Sequence, residues 1–392
     1  MKRNILSALL ILGLIINGCG NSAKETTEEP DTGGSSEVTE PEVTGYTPAA
    51  SYENERYLFR NFSGEVMLIG YIDYEGNEVI APAYVAAYDF SEGLAAVAAP
   101  VEGFEEPLWG YIDINGEWVI EPQYNLAGIF CEGLAWVKLQ SENREDMLCG
   151  YIDRSGEFVI EPQWIEAHDF SEGLAFVQHN EYKAFIDRTG TEQFTVEHRF
   201  SNFIDGVALT IDTDENWAYY INSSGEEILS GQYRTSHAFT DGRALIRKDQ
   251  LFGYIDTEGR IAIPMQYSIA TDFSEGKAIA YDLSYDGWII IDTDGNLLSE
   301  LGYAPTSNFS EGLVPVTPID GRDIGYADET GTLAIDMTFT MGGPFINGLA
   351  HAANADWDGY IDRSGEFVWK QEPHRLYYSE EEGAAQVEPE EE

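Results

Sequence analysis

The feature that most constrains this chain is a short sequence motif, or phrase, that occurs nine times. Each copy is a triplet related to Tyr-Ile-Asp, closed by Asp-x-x-Gly, and the copies recur about every 36 residues. Such a period indicates one supersecondary unit stacked on itself, so we expect an array rather than a single catalytic pocket. The first and last residues of the closing turns are Asp73 and Gly76, Asp113 and Gly116, Asp153 and Gly156, Asp187 and Gly190, Asn222 and Gly225, Asp256 and Gly259, Asp292 and Gly295, Asp328 and Gly331, and Asp362 and Gly365.

The third copy shows how one unit is built. Residues 150–153 alternate as a strand does, and residues 153–156 form a tight turn in which aspartate bonds the local backbone and glycine closes the hairpin. Residues 157–162 form the return strand, which we expect to stop at Pro162 because proline cannot donate to a ladder. A second turn, Phe-Ser-Glu-Gly at residues 170–173, leads into a third strand at 174–177.

The Phe-x-x-Gly phrase recurs eight times, and a small residue follows it at a fixed place. Seven copies carry alanine there: Ala95, Ala135, Ala175, Ala208, Ala244, Ala278 and Ala350. This predicts that neighbouring sheets approach closely at that position.

No stretch shows sustained helical periodicity, so the predicted class is all-β. We expect about nine three-stranded antiparallel units in a solenoid-like or superhelical array. A closed β-propeller is the alternative, and three strands per unit count against it.

The N-terminus resembles a bacterial lipoprotein signal peptide. Lys2 and Arg3 precede an apolar run from Ile5 to Ile16, which is too short to span a bilayer comfortably, and Gly18-Cys19 follows it. The resemblance implies lipid attachment at Cys19, and two acyl chains suffice for stable anchoring. The expected protein is therefore extracytoplasmic and anchored to the bacterial cell membrane through this lipid.

Composition divides the remaining chain into three parts. Residues 19–50 are rich in Thr, Glu, Ser, Gly and Pro, which predicts a disordered acidic tether after the signal peptide of residues 1–18. Residues 51–374 hold the β array, and residues 375–392 form an acidic tail that we expect to be disordered. Cys131 and Cys149 stand several residues out of line in the expected hairpin register, so we predict two buried, free cysteines rather than a disulfide between them.

The charge excludes one class of partner. The chain has 70 acidic and 21 basic residues, for a net charge of -49. Such a surface repels nucleic acid, so no nucleic-acid role is expected.

The repeated phrase is similar to the WG-repeat family, also called KWG repeats, in which an aromatic-Gly pair opens each Gly-Tyr-Ile-Asp strand. Residues 109–113, Trp-Gly-Tyr-Ile-Asp, match best, and residues 252–256, Phe-Gly-Tyr-Ile-Asp, match nearly as well. Other copies replace the tryptophan by Ile69, Cys149, Ile324 or Asp358. The resemblance implies a β-repeat fold and an interaction module, and it implies no chemistry.

Metal and catalytic patterns are weak. The segments 212–216 and 292–296 superficially resemble calcium loops but lack the glutamate at the twelfth position, and turn chemistry accounts for their aspartates. No histidine pair has metal-ligand spacing, and no Ser or Cys lies in a nucleophile elbow, so we predict no metal, no cofactor and no enzyme activity.

Binding is the predicted function, and two ligand classes stay open. The first is a protein or peptide partner held along a β-repeat surface in the cell envelope. The second is a cell-wall or extracellular glycan, since exposed aromatic rings beside carboxylates commonly hold sugars; packing into the core is the competing explanation for each ring. The candidate binding residues are Trp109, Trp118, Trp136 and Trp164. A glycoside hydrolase acting through paired carboxylates is the least favoured hypothesis.

Overall fold

The computed structural model describes residues 52–63, 66–139, 147–211, 217–230, 233 and 235–373. These residues form 32 β-strands and one 3-10 turn, Tyr52–Asn54, and they contain no α-helix. The all-β prediction is confirmed. The predicted signal peptide, the tether, the lipid site Cys19 and the acidic tail lie outside the described residues.

A unit has up to four antiparallel strands, which we call a, b, c and d in chain order. In unit 2 they are β4 (Ala86–Ala87), β5 (Leu94–Ala99), β6 (Leu108–Asp113) and the first part of β7 (Trp118–Ala127). Strand a has only two residues here, too few to be recognised in the sequence. Seven units have a strand at position a, so the structure adds a short fourth strand to the predicted three.

The remaining strands repeat this order. Unit 1 contains β1 (Tyr57–Ser63), β2 (Val66–Ile72) and β3 (Glu78–Tyr84); unit 3 contains β8 (Ala135–Leu139), β9 (Cys149–Ile152) and β10 (Phe158–Trp164). Unit 4 contains β11 (Glu166–Ala167), β12 (Leu174–Gln178), β13 (Lys183–Asp187) and β14 (Glu192–Val196); unit 5 contains β15 (Val207–Ile211), β16 (Ala218–Asn222) and β17 (Glu227–Ser230). Unit 6 contains β18 (Thr235–Ser236), β19 (Ala244–Lys248), β20 (Leu251–Ile255) and β21 (Ile261–Ala270); unit 7 contains β22 (Lys277–Asp282), β23 (Gly287–Asp292) and β24 (Leu297–Leu301). Unit 8 contains β25 (Ala304–Pro305), β26 (Leu313–Thr317), β27 (Ile324–Asp328) and β28 (Leu333–Phe339); unit 9 contains β29 (Met341–Ile346), β30 (Leu349–Ala353), β31 (Asp358–Ile361) and β32 (Phe367–Gln371).

Strands β7 and β21 each belong to two units. Their first parts are strand d of one unit, and their last residues are strand a of the next, which joins two units into one seven-stranded sheet. Tyr267 in β21 shows the change of partner, because it is opposite Phe252 of its own unit and Asp282 of the next.

The expectation that strand d stops at proline is wrong. Pro162 lies inside β10, where residues 160 and 164 are opposite residues 151 and 149 of β9. The two extra residues form a bulge, which is one of the few places in a sheet that accept proline. Gly150 faces this bulge, and a Cβ there would come within 2.7 Å of the Ile160 carbonyl oxygen.

The core lies between consecutive units rather than within each one. At the junction of units 3 and 4, Tyr151 from strand c packs with Phe170 of the next unit, with ring centroids 4.8 Å apart. The Tyr151 hydroxyl donates to the carbonyl of His168, at 2.8 Å. Ala175 is buried in the same cluster, as expected for a small residue where sheets approach closely.

The last unit packs on the first in the same way. Tyr57, Phe59 and Ile72 of unit 1 form a buried cluster with Leu349 of unit 9, and the Phe59 and Trp369 ring centroids are 4.8 Å apart. Nine buried clusters thus serve nine junctions. Of the two arrangements left open by the sequence, these contacts support the closed ring of a propeller rather than an open solenoid.

The turn glycines show the same closure. Each has a positive φ, and a Cβ on it would press on the preceding unit. For Gly190 the contact is Ile160 Cγ2, at 2.9 Å, and for Gly76 it is the Val368 carbonyl oxygen of unit 9, at 2.1 Å.

Candidate interaction surface

The strand order divides the ring into two faces. Because consecutive strands are antiparallel, the a–b and c–d connections lie at one end of the sheets and the b–c connections at the other. We call these ends the turn face and the loop face. They differ in regularity, in hydrogen bonding and in exposed apolar surface.

The a–b connections are two-residue turns with positive φ at both central positions. Glu92 and Gly93 have φ of 51° and 78°, and the backbone groups of Ser91 and Leu94 bond each other in both directions. This is a type I′ hairpin turn, whose first central residue is normally Asn, Asp or Gly. Here it is acidic in seven of eight copies: Glu92, Glu132, Glu172, Asp205, Asp241, Glu275 and Glu311.

These acidic side chains connect each a–b turn to the next by hydrogen bonds, which form a series around the turn face. The Glu92 carboxylate accepts the backbone N–H of Gly133 in the next unit, at 3.0 Å. The same bond recurs at each step, ending with Gly348 on Glu311. The last turn has Asn347 in place of the acid, and its side-chain amide donates to Glu55 of unit 1, at 2.7 Å.

The c–d turns carry aspartates that cap their own backbone. The Asp153 carboxylate accepts the Ser155 hydroxyl, at 2.6 Å, and the backbone N–H groups of residues 155 and 157. These hydrogen bonds, led by that of the Ser155 hydroxyl, lower the pKa of Asp153. The turn aspartates therefore hold their own hairpins.

Several arginines also bind backbone of the turn face. Arg56 Nε donates to the carbonyl of Ile114, at 2.9 Å, and Arg243 Nε donates to that of Thr293, at 2.8 Å. Each bond joins one unit to the turn of the next. Much of the charge on the turn face is therefore committed to holding the ring.

The loop face is irregular and exposes apolar side chains. Where both flanking strands are fully described, its b–c connections range from two residues in unit 6 to eight in unit 2. Three of the four most exposed large apolar residues among the described residues lie here: Ile319 at 70%, Leu283 at 61% and Tyr285 at 53%; the fourth, Ile346 at 55%, adjoins the last a–b turn. Phe104 in unit 2 is 44% exposed, beside Glu105 and Glu106. Variable loops on a regular scaffold are where binding residues are commonly found.

The four candidate tryptophans lie on units 2 and 3, in different surroundings. Trp164 is buried at the junction of units 3 and 4. Trp118 is half-buried and meets Tyr84 edge-on, and Trp109 is half-buried and stacks on Tyr88 with centroids 5.3 Å apart. Trp136 is half-buried against the junction core.

Trp136 accompanies a buried carboxyl group. Burial raises the pKa of Asp169 to about 7, although its hydrogen bonds with the Trp136 indole and the Ile129 backbone oppose this shift. Gly128 makes the arrangement possible, since a Cβ there would lie 2.2 Å from Trp136 Nε1 and 2.6 Å from Asp169 Oδ1.

Two histidines pair with carboxylates next to the Phe-x-x-Gly turns. His237 Nδ1 lies 2.7 Å from Asp272, and this hydrogen bond raises the pKa of His237. His168 Nε2 lies 3.0 Å from Glu166, but burial lowers the pKa of His168. The first pair joins units 6 and 7, and among the described residues neither pair gains a third side chain placed to bind a metal ion.

The described residues hold no group of three or more His, Cys, Asp and Glu placed to bind a metal ion. They also contain no helix long and apolar enough to cross a membrane. Cys149 is buried and free, as predicted, so it forms no disulfide with Cys131. The same prediction is wrong for Cys131, which is buried but not free.

Sequence reasoning missed two features of this surface. The acidic residue before glycine in the Phe-x-x-Gly phrase was a visible signal for the carboxylate chain, because it recurs in seven of eight copies. The exposed apolar loop residues follow no repeat in the sequence. Their common location on one face becomes visible only when the strand order shows that all b–c connections lie at the same end of the sheets.

Comparison with known proteins gives a repeat type and no function. The solved structures that resemble this chain include Kluyveromyces lactis Hsv2p, at 8% identity and a TM-score of 0.34, covering 62% of this chain and 92% of that one. They also include the Neurospora crassa Pan2 WD40 domain, at 11% identity and a TM-score of 0.29, covering 57% and 83%. No curated protein matches the chain. The model of the WG containing repeat matches residues 69–98, 109–141, 150–182, 220–251, 252–281 and 324–351, so WG repeats occur along this all-β chain.

Proposed function

We propose that this chain is a non-catalytic, lipid-anchored scaffold of the bacterial cell envelope that binds a protein or peptide partner through the loop face. The observation that carries the proposal is the contrast between the two faces. Carboxylates and arginines of the turn face bond backbone of neighbouring units. On the loop face, Leu283, Tyr285 and Ile319 are more than half exposed and belong to adjacent units 7 and 8.

The charge of the scaffold defines the partner further. Asp286 and Asp320 stand beside these apolar residues, and the whole chain has a net charge of -49. Apolar anchors surrounded by carboxylates suit a partner with apolar side chains inside a basic rim. Association should therefore weaken as salt is raised.

Substitution of the loop face tests this function. The variant Leu283→Ser, Tyr285→Ser, Ile319→Ser should lose most binding to partners captured from solubilised envelope, because the apolar anchors are removed. A matched control is Val79→Ser, Val119→Ser, Val159→Ser, which removes exposed apolar side chains from strand d. Equal capture by the two variants would contradict the assignment of the loop face.

The anchor is tested separately. With Cys19→Ala, the chain should move from the membrane fraction to the soluble fraction, since one thiol carries the proposed lipid. An unchanged distribution would reject lipid anchoring without affecting the loop-face proposal.

A glycan is the second candidate ligand, and the pair Tyr88 and Trp109 favours it. Their rings stack on each other, with centroids 5.3 Å apart, while both are half-buried. Soluble cell-wall fragments should then quench tryptophan emission, and Trp109→Phe should remove most of the quenching. Capture from envelope that survives protease digestion would favour the glycan, and capture that protease abolishes would favour the protein partner.

A further inference from the structure

The hairpin tip of unit 7 presents two apolar side chains on a backbone that is held in place. Leu283 and Tyr285 lie in the connection between β22 and β23, and both are more than half exposed. The Asp282 carboxylate accepts the backbone N–H of Ser284, at 2.7 Å, and its hydroxyl, at 2.6 Å. Apolar groups that are already positioned in this way lose little conformational freedom when a partner covers them.

The loop of unit 8 presents Ile319 in the same manner. Ile319 follows Pro318 in a turn that is closed by a hydrogen bond from the Gly321 N–H to the Pro318 carbonyl, at 3.1 Å. The Thr317 hydroxyl ties this turn to the end of β26 by donating to the Gly321 carbonyl, at 3.2 Å. Ile319 therefore projects from a fixed turn with most of its surface accessible.

An aromatic pair lies beside these two tips at the junction of units 7 and 8. Trp288 comes two residues after the unit 7 connection, is half-buried, and packs on a core cluster that contains Ile290 of unit 7 and Val316 of unit 8. Tyr281 is opposite Trp288 in the hairpin and meets its ring edge-on, with centroids 5.4 Å apart. The pair adds apolar surface at the loop-face end of this junction.

Carboxylates accompany the exposed apolar side chains of the loop face. Each such side chain has an exposed acidic residue directly before or after it, except Leu283, whose acidic neighbour is half-buried: Glu105 by Phe104, Glu181 by Tyr182, Asp282 by Leu283, Asp286 by Tyr285 and Asp320 by Ile319. Among their described residues, the b–c connections contain nine Asp and Glu and one Arg, Arg322. The loop face therefore combines apolar side chains with negative charge.

The orientation of the strands favours a helical partner over an extended one. In the described units the strands meet the loop face with their ends, where the b–c connections join them. An extended peptide gains affinity by pairing its backbone with the edge of a sheet, and strand ends do not provide such an edge. A helix bonds its own backbone internally and can lay one face of side chains on such a surface.

We propose that the loop face at units 7 and 8 binds a cationic amphipathic helix. Its apolar side chains cover Leu283, Tyr285 and Ile319, and its Lys and Arg side chains pair with Asp286 and Asp320. The inference rests on the proposed binding function of this face and names the chemical class of the partner. Apolar side chains set among carboxylates are complementary to a helix with one apolar and one basic face, and the net charge of -49 speeds its encounter with the chain.

A designed peptide tests this class of partner. The probe has about 15 residues, leucine and lysine at helical spacing, and its control has the same composition in an order that gives no apolar face. Fluorescence anisotropy of each labelled peptide, titrated with the full chain at low salt, measures binding. We expect the amphipathic peptide to bind about tenfold more tightly than its control, or better.

Two pairs of variants locate the binding. The triple serine variant of the loop face should weaken binding of the amphipathic peptide about tenfold, and the triple serine control of strand d should leave it unchanged. Asp286→Asn, Asp320→Asn should weaken binding several-fold at low salt and have no effect at high salt. Glu78→Gln, Glu121→Gln removes as many exposed charges from strand d and should change binding little.

Two outcomes would overturn the proposal. Equal binding of the two peptides would show that net charge alone attracts them. Equal binding of the amphipathic peptide by the two triple serine variants would place the helix elsewhere on the chain. The proposed function has its own readout, because envelope capture that depends on the loop face, together with no preference between the peptides, would keep that function and reject this class of partner.

Discussion

A comparison of two junctions, between units 3 and 4 and between units 9 and 1, shows how the ring is held together. At the junction of units 3 and 4, the chain runs from β10 into β11, and Tyr151 packs on Phe170 and bonds the strand a backbone. At the closing junction no covalent link exists, and the contacting residues lie about 300 positions apart, yet Phe59, Ile72 and Trp369 meet in the same manner. The difference lies in strand a, which the described residues supply at the first junction and not at the second.

The comparison predicts that core substitutions cost a similar amount at both junctions. Phe170→Ala and Phe59→Ala each remove a buried ring, at 1% and 3% exposure, and each should lower the free energy of unfolding by about 3–5 kcal/mol. Denaturant unfolding measures both. A small cost for Phe59→Ala beside a large one for Phe170→Ala would show that the ring is open.

The two junctions should differ in how their stability depends on pH, because Asp169 lies only at the junction of units 3 and 4. Its folded-state pKa of about 7 lies above the ordinary value of 3.8, so the charged form is disfavoured in the folded state. The penalty is absent below about pH 4, grows as pH rises and is complete above about pH 7. Relative to Asp169→Asn, the wild type should lose about 2 kcal/mol of stability between pH 5 and pH 7. A difference that stays constant with pH would contradict the buried, protonated carboxyl group.

The turn glycines sharpen the comparison at the surface of each junction. Gly76→Ala should cost about 1–3 kcal/mol, because φ is +84° and the new Cβ would meet the Val368 carbonyl of unit 9. Gly103→Ala is the control. Gly103 has φ of +92°, and no atom lies within 4 Å of the position of the new Cβ, so this substitution introduces backbone strain without a steric contact. If thermal unfolding shows equal losses for the two, unit 9 does not press on unit 1.

The smallest predicted difference concerns one hydroxyl group. Tyr151→Phe removes the bond to the His168 carbonyl and should cost about 1–2 kcal/mol, because a buried acceptor is left unpaired. Tyr360→Phe removes the bond to Leu58 at the closing junction and should cost a comparable amount. Urea unfolding of both variants makes the comparison, and no loss for Tyr360→Phe would remove that bond from the account of closure.

Local structure could be predicted from this sequence because turn chemistry is local. Asp153 and Gly156 specify their hairpin within four residues, and the recurring alanine at Ala175 predicted a close approach of sheets that the structure shows. The end of strand d was predicted wrongly at Pro162, because a bulge opposite Gly150 accommodates the proline within the strand. Such a bulge can be recognised only when the pairing of both strands is known. Strand a has two residues in most units, which is too short for any periodic pattern.

Closure and the loop face were beyond prediction for a different reason. Whether units close depends on the sum of small rotations between them, and no single unit encodes that sum. Leu283 and Ile319 belong to loops of different lengths, so their common exposure appears only once the strand order places both at one end of the sheets.

The most direct test of the closed ring is a cross-link between its two ends. Glu55 and Asn347 are 292 positions apart in sequence and joined by a 2.7 Å hydrogen bond. In the double variant Glu55→Cys, Asn347→Cys, a short bis-maleimide reagent should join these two positions within one chain, as peptide mapping would show, and the cross-linked chain should unfold at a higher temperature. Failure of residues 55 and 347 to join in the folded chain, while each thiol reacts freely with a small alkylating reagent, would contradict closure.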